Sequence, residues 1–533
     1  MLETKDRTPL RAVTGGALAI AFFSVLSRSL GVLRDRLLAS TFGAGNTLDA
    51  YYAAFKIPDF IFNIFVLGAV AAAFIPIYIR VRGTYGQAQA WHLGRTILNL
   101  ITIVLAVCAA LGALWAPELM PIIAPGFDAS RQELAITLTR VMLVSLMFFG
   151  ASNVVGSVLQ AEQRFLSYSL APVVYNLGII LGLYTFVPWL GPEGLAWGVV
   201  LGSLLHLLIQ LPAVWRTGFR WRPQLDLKQK AVTEVLKLLG PRTIGLAASS
   251  LEQVIMAGFA STLAAGSVAA FTLAVNLQSF PISVFGVSLA VAVFPLFSQA
   301  FSANNHEDFI SHFKDSVRRI LFFVLPLSVL FLVLRAHLVR LVLGSGEFDW
   351  TATIRTAQVL GFLSLAMVAD SLVPLLARAF YALRDTKTPA LVAVATVFTN
   401  LVLLIITHPF GLAGIGLSYV VSRALNLALL VTLLGRRLKG LGADYILSGA
   451  ARMLIASLMA GGAAYGTLQV LAPYVNLHTF IGVLTHGGAA SLIGGGGYLI
   501  LSFWWRLPEI NFISRWLKSA WRVMLKLSGA LLS

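Results

Sequence analysis

Charge is scarce in this chain. Asp, Glu, Lys and Arg make up 11% of its 533 residues, where an ordinary soluble domain carries roughly a quarter. Acids are scarcer still, with 22 Asp and Glu against 39 Lys and Arg, for a formal net charge of +17. The basic excess lies in short loops between apolar runs rather than on one face, which excludes nucleic acid as the partner. The single cysteine, Cys108, sits inside an apolar stretch, so neither an internal disulfide framework nor a Cys/His metal site can be built. Soluble-enzyme signatures are also missing: there is no zinc-protease motif, no Walker A loop and no long outer loop with paired acids for glycosyl transfer. The expectation is a protein that is not an enzyme, with no catalytic residue, no metal and no cofactor.

What the chain has instead is hydrophobic length. Hydrophobic residues make up 58% of it, and apolar runs of about twenty residues, enough to cross roughly 30 Å of hydrocarbon, recur from Ala12 to Trp505. These runs predict an all-α polytopic membrane protein with about fourteen spans, at 12–42, 48–79, 93–116, 134–160, 168–190, 194–215, 233–264, 267–302, 316–343, 355–382, 388–408, 411–435, 449–472 and 479–505. The first run follows Lys5, Arg7 and Arg11 but is too long, and lacks the small-residue cleavage site, for a signal peptide. Lys and Arg alternate between connections as the positive-inside rule requires. One set holds Arg80, Arg82 and Arg95, then Arg164, Arg216 to Lys237, Lys314 to Arg319, Arg384 with Lys387, and Arg436 to Lys439. The intervening loops near Gly43, Gly191, Ala264, His408 and Pro473 hold none; Arg340 to Arg355 is the least clear. Both termini are thereby expected in the cytoplasm of a bacterial cell, with the chain in the inner membrane.

An internal repeat recurs at a spacing of about 220 residues. Leu38-Ala39-Ser40-Thr41 with Ala44-Gly45 reappears as Phe259-Ala260-Ser261-Thr262 with Ala265-Gly266, Ala73-Phe74-Ile75-Pro76 as Val293-Phe294-Pro295, and Gly194-Leu195-Ala196 as Gly414-Ile415-Gly416. Each copy holds an even number of spans, so the two enter the membrane in the same sense, which is transporter architecture. The expected divisions are a cytoplasmic N-terminus at 1–11, a six-helix N-lobe at 12–230, a six-helix C-lobe at 231–440, helices 13 and 14 at 441–505, and a cytoplasmic amphipathic tail at 506–533. In that tail Arg515, Lys518, Arg522 and Lys526 share one helical face, fit to rest on the inner leaflet.

A charge at mid-membrane costs about 2.5–3.5 kcal/mol on insertion scales, so it must face protein or water. The first span carries Arg28, Arg34, Asp35 and Arg36, roughly 24 to 36 Å along a straight helix that starts near Ala12. Arg28 and Asp35 share a face, and a bend near Gly31 would bring Arg34 and Arg36 to it. The second span adds Asp49, Lys56 and Asp59 around Pro58, which suggests a broken, wetted helix. Glu252, Asp370, Arg378 and Arg423 also fall in or near apolar runs, and Asp370 and Arg378, eight apart, are placed to pair. A net positive cavity selects anionic ligands, and arginine suits phosphate because its planar fork bonds two oxygens. The expected substrate-binding set is Arg28, Arg34, Asp35, Asp49, Lys56, Arg378 and Arg423, with Glu252 and Asp370 as ion-coupling or paired charges. His206 reads as a hydrogen-bonded core residue.

These residues carry a resemblance. Ser27-Arg28-Ser29-Leu30-Gly31-Val32-Leu33-Arg34-Asp35, Phe42-Gly43-Ala44-Gly45, Asp49-Ala50, Ala54-Phe55-Lys56-Ile57-Pro58 and Ala379-Phe380-Tyr381-Ala382 with Asp385-Thr386-Lys387-Thr388-Pro389 are similar to the MurJ (MviN) family of lipid II flippases. The resemblance spans nearly the whole chain. It implies two six-helix lobes of the multidrug/oligosaccharidyl-lipid/polysaccharide exporter type, plus two final helices forming a groove for a polyprenyl tail. It also implies that Arg28, Arg34, Asp35 and Asp49 line or stabilise a central cavity. Where the family often has paired arginines and an acid in the second helix, this chain has Phe62-Asn63 and Leu67; in the eighth, an expected arginine and glutamate are Asn276 and Ser279. It is a divergent member, in which Lys56, Arg378 or Arg423 supplies the missing charge or the substrate differs.

The resulting expectation is a lipid II flippase of peptidoglycan biosynthesis. By alternating access it passes the head group across the membrane while the prenyl tail stays in lipid, with membrane potential or a monovalent cation as the coupling force. Its partners are lipid II or a related polyprenyl-diphosphate glycan, membrane lipid and the cell-wall synthesis machinery. The alternatives are a flippase for another such glycan, a cation-coupled drug exporter, which the arginines oppose, and a non-transporting scaffold for cell-wall enzymes.

Overall fold

In hydrocarbon each unpaired peptide group costs several kcal/mol, so a chain this apolar must satisfy its backbone within helices. The computed structural model describes residues 7–67, 70–438 and 440–511, and every regular element among them is helical. The expected tail face with Arg515, Lys518, Arg522 and Lys526, and residues 1–6, lie outside the described residues. The first half comprises α1 (Arg7–Phe42), α2 (Asn46–Ala54), α3 (Lys56–Phe62), α4 (Val70–Tyr85), α5 (Gln87–Leu114), α6 (Ala116–Ile123), α7 (Ala129–Ala161), α8 (Phe165–Thr185), α9 (Val187–Leu190), α10 (Gly194–Leu208) and α11 (Leu211–Arg216). Then follow α12 (Lys230–Ser261), α13 (Ser267–Pro281), α14 (Ser288–Ser302), α15 (His306–Leu343), α16 (Trp350–Ala382), α17 (Lys387–Thr407), α18 (Gly411–Arg437), α19 (Ala443–Leu471) and α20 (Phe480–Trp504).

Among the described residues, 9 helical segments are long and apolar enough to cross a membrane, one of them the joined α17–α18 stretch. The other four expected spans fall on α1, the α2–α4 segment, α12 and α20.

Two compact units emerge. The first takes the chain to Leu273 with Val342–Thr356 and Ala393–Ile415; the second takes Ala274–Leu341, Ala357–Val392 and the chain from Gly416. The first is centred on Phe74, Tyr78, Leu93, Ile97, Leu105, Val154 and Val158. Its α8 and α10 approach so closely that a Cβ on Gly178 would lie 2.4 Å from the Gly202 Cα, and one on Gly182 2.2 Å from the Gly198 Cα. Small residues four apart on both helices are what backbone contact in a membrane needs. The core of the second unit is aromatic, built on Phe297, Phe309, Phe313, Phe322, Phe380 and Tyr498. The Tyr498 hydroxyl donates to the Phe322 carbonyl at 2.8 Å, so its one polar atom is satisfied.

The repeat leaves a structural signature. A π-helical turn at Asn63–Leu67 follows α3, and another at Ile282–Val287 follows α13, in each copy's second span. π-turns widen the backbone ring and cluster at functional sites.

Outside the spans, Asp385 caps the first turn of α17. Its Oδ1 accepts from the amides of Lys387 and Thr388 at 3.1 and 3.0 Å, and its Oδ2 from the Thr388 hydroxyl at 2.7 Å and from Arg437. Partial burial alone would raise its pKa, but the Thr388 amide and hydroxyl, Arg437 and the Lys387 amide together hold it below the usual carboxylate value. The stabilisation is therefore complete above about pH 3.9, the unfolded carboxylate value, and is lost as pH falls through the lower folded one. Asp385→Asn keeps a capping oxygen but removes the negative charge that the α17 N-terminus and Arg437 favour, and is expected to cost about 0.5–1 kcal/mol at neutral pH. Thermal unfolding in detergent should show native protein and variant converging at acid pH, where native Asp385 is also neutral.

Candidate functional site

The geometry of the charged residues starts on α1, which runs as one uninterrupted helix through Gly31. Arg34 finds its partner without any break of the helix: its side chain curls back on its neighbour. Arg34 Nε and Nη2 donate to Asp35 Oδ1 at 3.1 and 2.8 Å, and Nη1 donates to Asn176 Oδ1 on α8 at 3.2 Å. Asn176 is fixed in turn, its Nδ2 donating to the carbonyls of Ser27 and Pro172 at 3.2 and 3.0 Å. Arg36 instead donates to the Val342 carbonyl at 3.2 Å. Arg28, about 9 Å along the axis from Arg34 by helical rise, is exposed.

Beside this cluster the first unit contains a cavity of about 330 Å³, walled by α3, the Asn63–Leu67 turn, α7, α8, α10 and α12. Its polar lining comprises Asp59, Asn63, Ser145, Tyr175 and Gln253, and Phe55, Phe62 and Phe149 supply aromatic surface. Asp59 interacts electrostatically with Lys56 and with Arg34, and Tyr175 with Arg34, so these charges share one field. α2 and α3 are interrupted at Phe55, and Pro58 falls in the first turn of α3, where a missing amide proton is harmless. Asn63 Nδ2 reaches Ser250 Oγ on α12 at 3.0 Å. The lining mixes polar with aromatic side chains, as a sugar-bearing ligand suits, and Asp59 is its one charged member among the described residues; none of the expected cations lines it, and Arg34 and Lys56 act on it through Asp59 and Tyr175.

Asp49 is placed elsewhere. It is 1% exposed, and its Oδ2 and Oδ1 accept from the backbone amides of Gly266 and Ala269 at 2.7 and 2.8 Å. This correction has a plain cause: the α13 N-terminus offers unpaired amides and a positive dipole end, which draw a carboxylate. The arginine within its electrostatic reach is Arg131, rather than one from α1. Contacts between the two repeats gather around it in the first unit. Gly126 N donates to Ser261 Oγ at 3.1 Å and Glu347 N to the Ser40 carbonyl at 2.9 Å. Ser40 and Ser261 are the equivalent serines of the repeat. Gly346 must be glycine here, since at φ +56 a Cβ would lie 2.2 Å from the Ser40 oxygen.

In the second unit the expected Asp370–Arg378 pair does not form. Asp370 lies 3.3 Å from Arg423 Nε on α18 and accepts from Tyr419 and Gln278 at 3.0 and 3.1 Å. Arg378 turns to the Pro374 carbonyl at 3.1 Å, a hydrogen bond four residues back along its own helix. A partner from another helix reaches Asp370 instead. Glu252, in the first unit, is buried on α12, where its Oε1 accepts from Asn400 Nδ2 at 3.2 Å. His206 accepts or donates at 2.6 Å with Ser152 and stacks edge-on against Phe149, a hydrogen-bonded core residue as expected.

Sequence reasoning passed over the neutral partners Asn176, Tyr175, Asn400, Gln278 and Tyr419. A signal for two of them was present: Tyr175-Asn176-Leu177 and Thr399-Asn400-Leu401 sit in corresponding spans. Each copy thus brings an asparagine from its fifth span to its first.

A duplicated chain, helical in every regular element among its described residues, that holds a polar and aromatic cavity among apolar helices of membrane-spanning length defines a polytopic membrane transporter. Comparison with known proteins narrows this. The profile of the family described as "Lipid II flippase MurJ" matches residues 38–485, and the chain belongs to that family. The lipid II flippase MurJ of Burkholderia cenocepacia is 30% identical over 77% of this chain and 81% of its own. A probable lipid II flippase MurJ of Thermotoga maritima is 31% identical over 76% and 82%. One of Vibrio cholerae is 28% identical over 90% and 94%. A solved lipid II flippase MurJ in an inward closed conformation superposes with a TM-score of 0.77 at 22% identity, covering 92% of this chain and 99% of that one. An inward-facing multidrug resistance MATE family transporter of the MOP superfamily follows at 0.67 and 19%, over 78% and 95%.

Proposed function

We propose that the chain carries lipid II, the lipid-linked peptidoglycan precursor, from the cytoplasmic to the outer leaflet of a bacterial inner membrane, and that it catalyses no covalent reaction. Membership of the family supports this, and the observation that carries it is Arg34, oriented by Asp35 and Asn176 within the field of the cavity. A fixed guanidinium in low dielectric suits a diphosphate. The reading includes fourteen crossings, both termini cytoplasmic, lobes at 12–230 and 231–440, and helices at 441–505 beside the prenyl tail. A second reading, another polyprenyl-diphosphate glycan, is favoured by Phe62 and Asn63 standing on the cavity wall where the family often carries cations. Complementation decides between them. Cells depleted of their own flippase should regain lipid II translocation with this chain; well-folded protein that fails to restore it would favour the other glycan.

Coupling to a monovalent cation is part of the proposal, with Glu252 and Asn400 as its candidates. Both are buried, Asn400 also faces the Met256 sulfur at 3.3 Å, and its Oδ1 has no hydrogen-bond partner among the described residues. A carboxylate beside a spare carbonyl oxygen is the donor set a hard cation takes. Sodium at a hundred times its dissociation constant should stabilise the native protein by about 2.7 kcal/mol. Thermal unfolding of Glu252→Gln should lose that increment, and an unchanged sodium response would remove the site from the mechanism.

A further inference from the structure

We propose that residues 217–229, which join the two repeats, form an interfacial strap that binds the anionic phospholipid headgroups of the cytoplasmic leaflet. The side of the membrane rests on the orientation given under the proposed function; the lipid contact rests on the strap itself.

The strap is not a free loop. Phe219 is 2% exposed and packs into the core of the first unit, and Gly218, at φ +90, lies flat against Trp91, which a Cβ there would meet at 2.6 Å. Arg95 Nε donates to the Arg220 carbonyl at 2.7 Å. Asn99 Nδ2 donates to the carbonyls of Arg222 and Gln224, both at 2.8 Å, and Asn99 Oδ1 accepts from the Trp221 indole at 2.9 Å. His92 and Asp226 meet at 3.1 Å. Trp91, Arg95 and Asn99, spaced at four residues, are one stripe of α5. From Leu100 to Leu114 that helix has no charged residue, so Asn99 stands where the polar end gives way to hydrocarbon. The strap is therefore pinned at headgroup depth.

Its exposed side chains fit that depth and not water. Trp221, Leu225 and Leu227 are 62%, 50% and 50% exposed, although the strap has no helix to turn them into a core, and Trp215 at the end of α11 is 47% exposed beside them. Their open apolar surface is what a lipid boundary covers. Arg220, Arg222 and Lys228 of the strap, with Arg216 and Lys230 at its two ends, are all exposed. Apolar and aromatic side chains interleaved with cations match the boundary of an anionic leaflet. The positive-inside rule accounts for the cations alone; it does not account for a backbone tied down so that Trp221, Leu225 and Leu227 face outward.

The test uses full-length protein in liposomes of phosphatidylcholine, with or without phosphatidylglycerol, carrying a nitroxide at Leu225→Cys in a Cys108→Ser background. The nitroxide should be more accessible to oxygen than to a water-soluble nickel chelate, and phosphatidylglycerol should raise that preference several-fold. R220Q/R222Q/K228Q should abolish the phosphatidylglycerol increment, and R220K/R222K should keep it. Nickel access that dominates in both lipids would overturn the proposal, as would an unchanged increment in the glutamine variant. Binding of a soluble acidic peptide without any lipid response would overturn it too, and would assign the strap to a protein partner. The readout needs no substrate. Lipid contact with failed complementation would thus count against the transport reading, and complementation without lipid contact against the strap.

Discussion

Arg34→Ala is expected to abolish translocation while the protein still reaches the membrane. Truncating one member of a desolvated, hydrogen-bonded charge pair costs about 2–5 kcal/mol, which at 1.4 kcal/mol per decade is on the order of 30- to 3,000-fold. Part of that cost is structural, because the substitution strands Asp35, whose side chain is 6% exposed, without its guanidinium. The double variant Arg34→Ala/Asp35→Asn separates the two effects. It should recover thermal stability toward the native value and remain inactive at matched expression, because the cation that meets phosphate is still gone. Arg34→Lys keeps the charge but cannot reach Asp35 and Asn176 together, and should fall between. Recovery of lipid II movement in the double variant would show that Arg34 serves the fold alone. A scaffold for cell-wall enzymes would go on recruiting them in all three variants.

Gly182→Val should be among the most damaging single changes to the fold. The first atom of its side chain would sit 2.2 Å from the Gly198 Cα, and backbone cannot rotate aside as a side chain does. α8 and α10 would have to part along their length, separating Gly178 from Gly202 and shifting Asn176 away from Arg34. The expected loss is about 3 kcal/mol, the upper part of the overpacking range, seen as a lower melting temperature and loss of monodisperse protein in detergent. Gly488→Ala on α20 is the control. Its Cβ meets nothing within 4 Å, so it should hold or raise stability by up to about 1 kcal/mol through helix propensity. Equal damage from both substitutions would place the sensitivity in glycine content and not in the α8–α10 contact.

Much of the fold was legible in the sequence because its causes are local. Twenty-residue apolar runs have one solution in lipid, and the repeat of Leu38–Gly45 at Phe259–Gly266 located equivalent structural positions. Charge depth likewise drew attention to Arg34 and Asp35, which pair with each other in the structure. What stayed illegible was the choice of partner. Asp49 looked like a cavity acid because spacing shows that a residue is inside, and not which helix end arrives beside it. Asp370 and Arg378 share a face, yet Arg423 from α18 takes the carboxylate. The neutral residues that orient the charges were overlooked for a related reason: Asn176 and Asn400 bear no charge to mark them, although each reaches a charged residue of its copy's first span.

The hydrogen bonds around Ser40 and Asp49 also set a timetable. When the first repeat leaves the ribosome, the Asp49 carboxylate and the Ser40 carbonyl have no partners, because Gly266, Ala269 and Glu347 have yet to be made. Glu347 follows Ser40 by on the order of 300 residues, and at about 5–20 residues per second the wait is on the order of half a minute. For the part of that interval before Gly266 and Ala269 emerge, the newborn N-terminal half holds the Asp49 carboxylate without its two backbone donors. Its final form is therefore reached after the second repeat arrives, and any chaperone or insertase that attends this chain has its longest task in that gap.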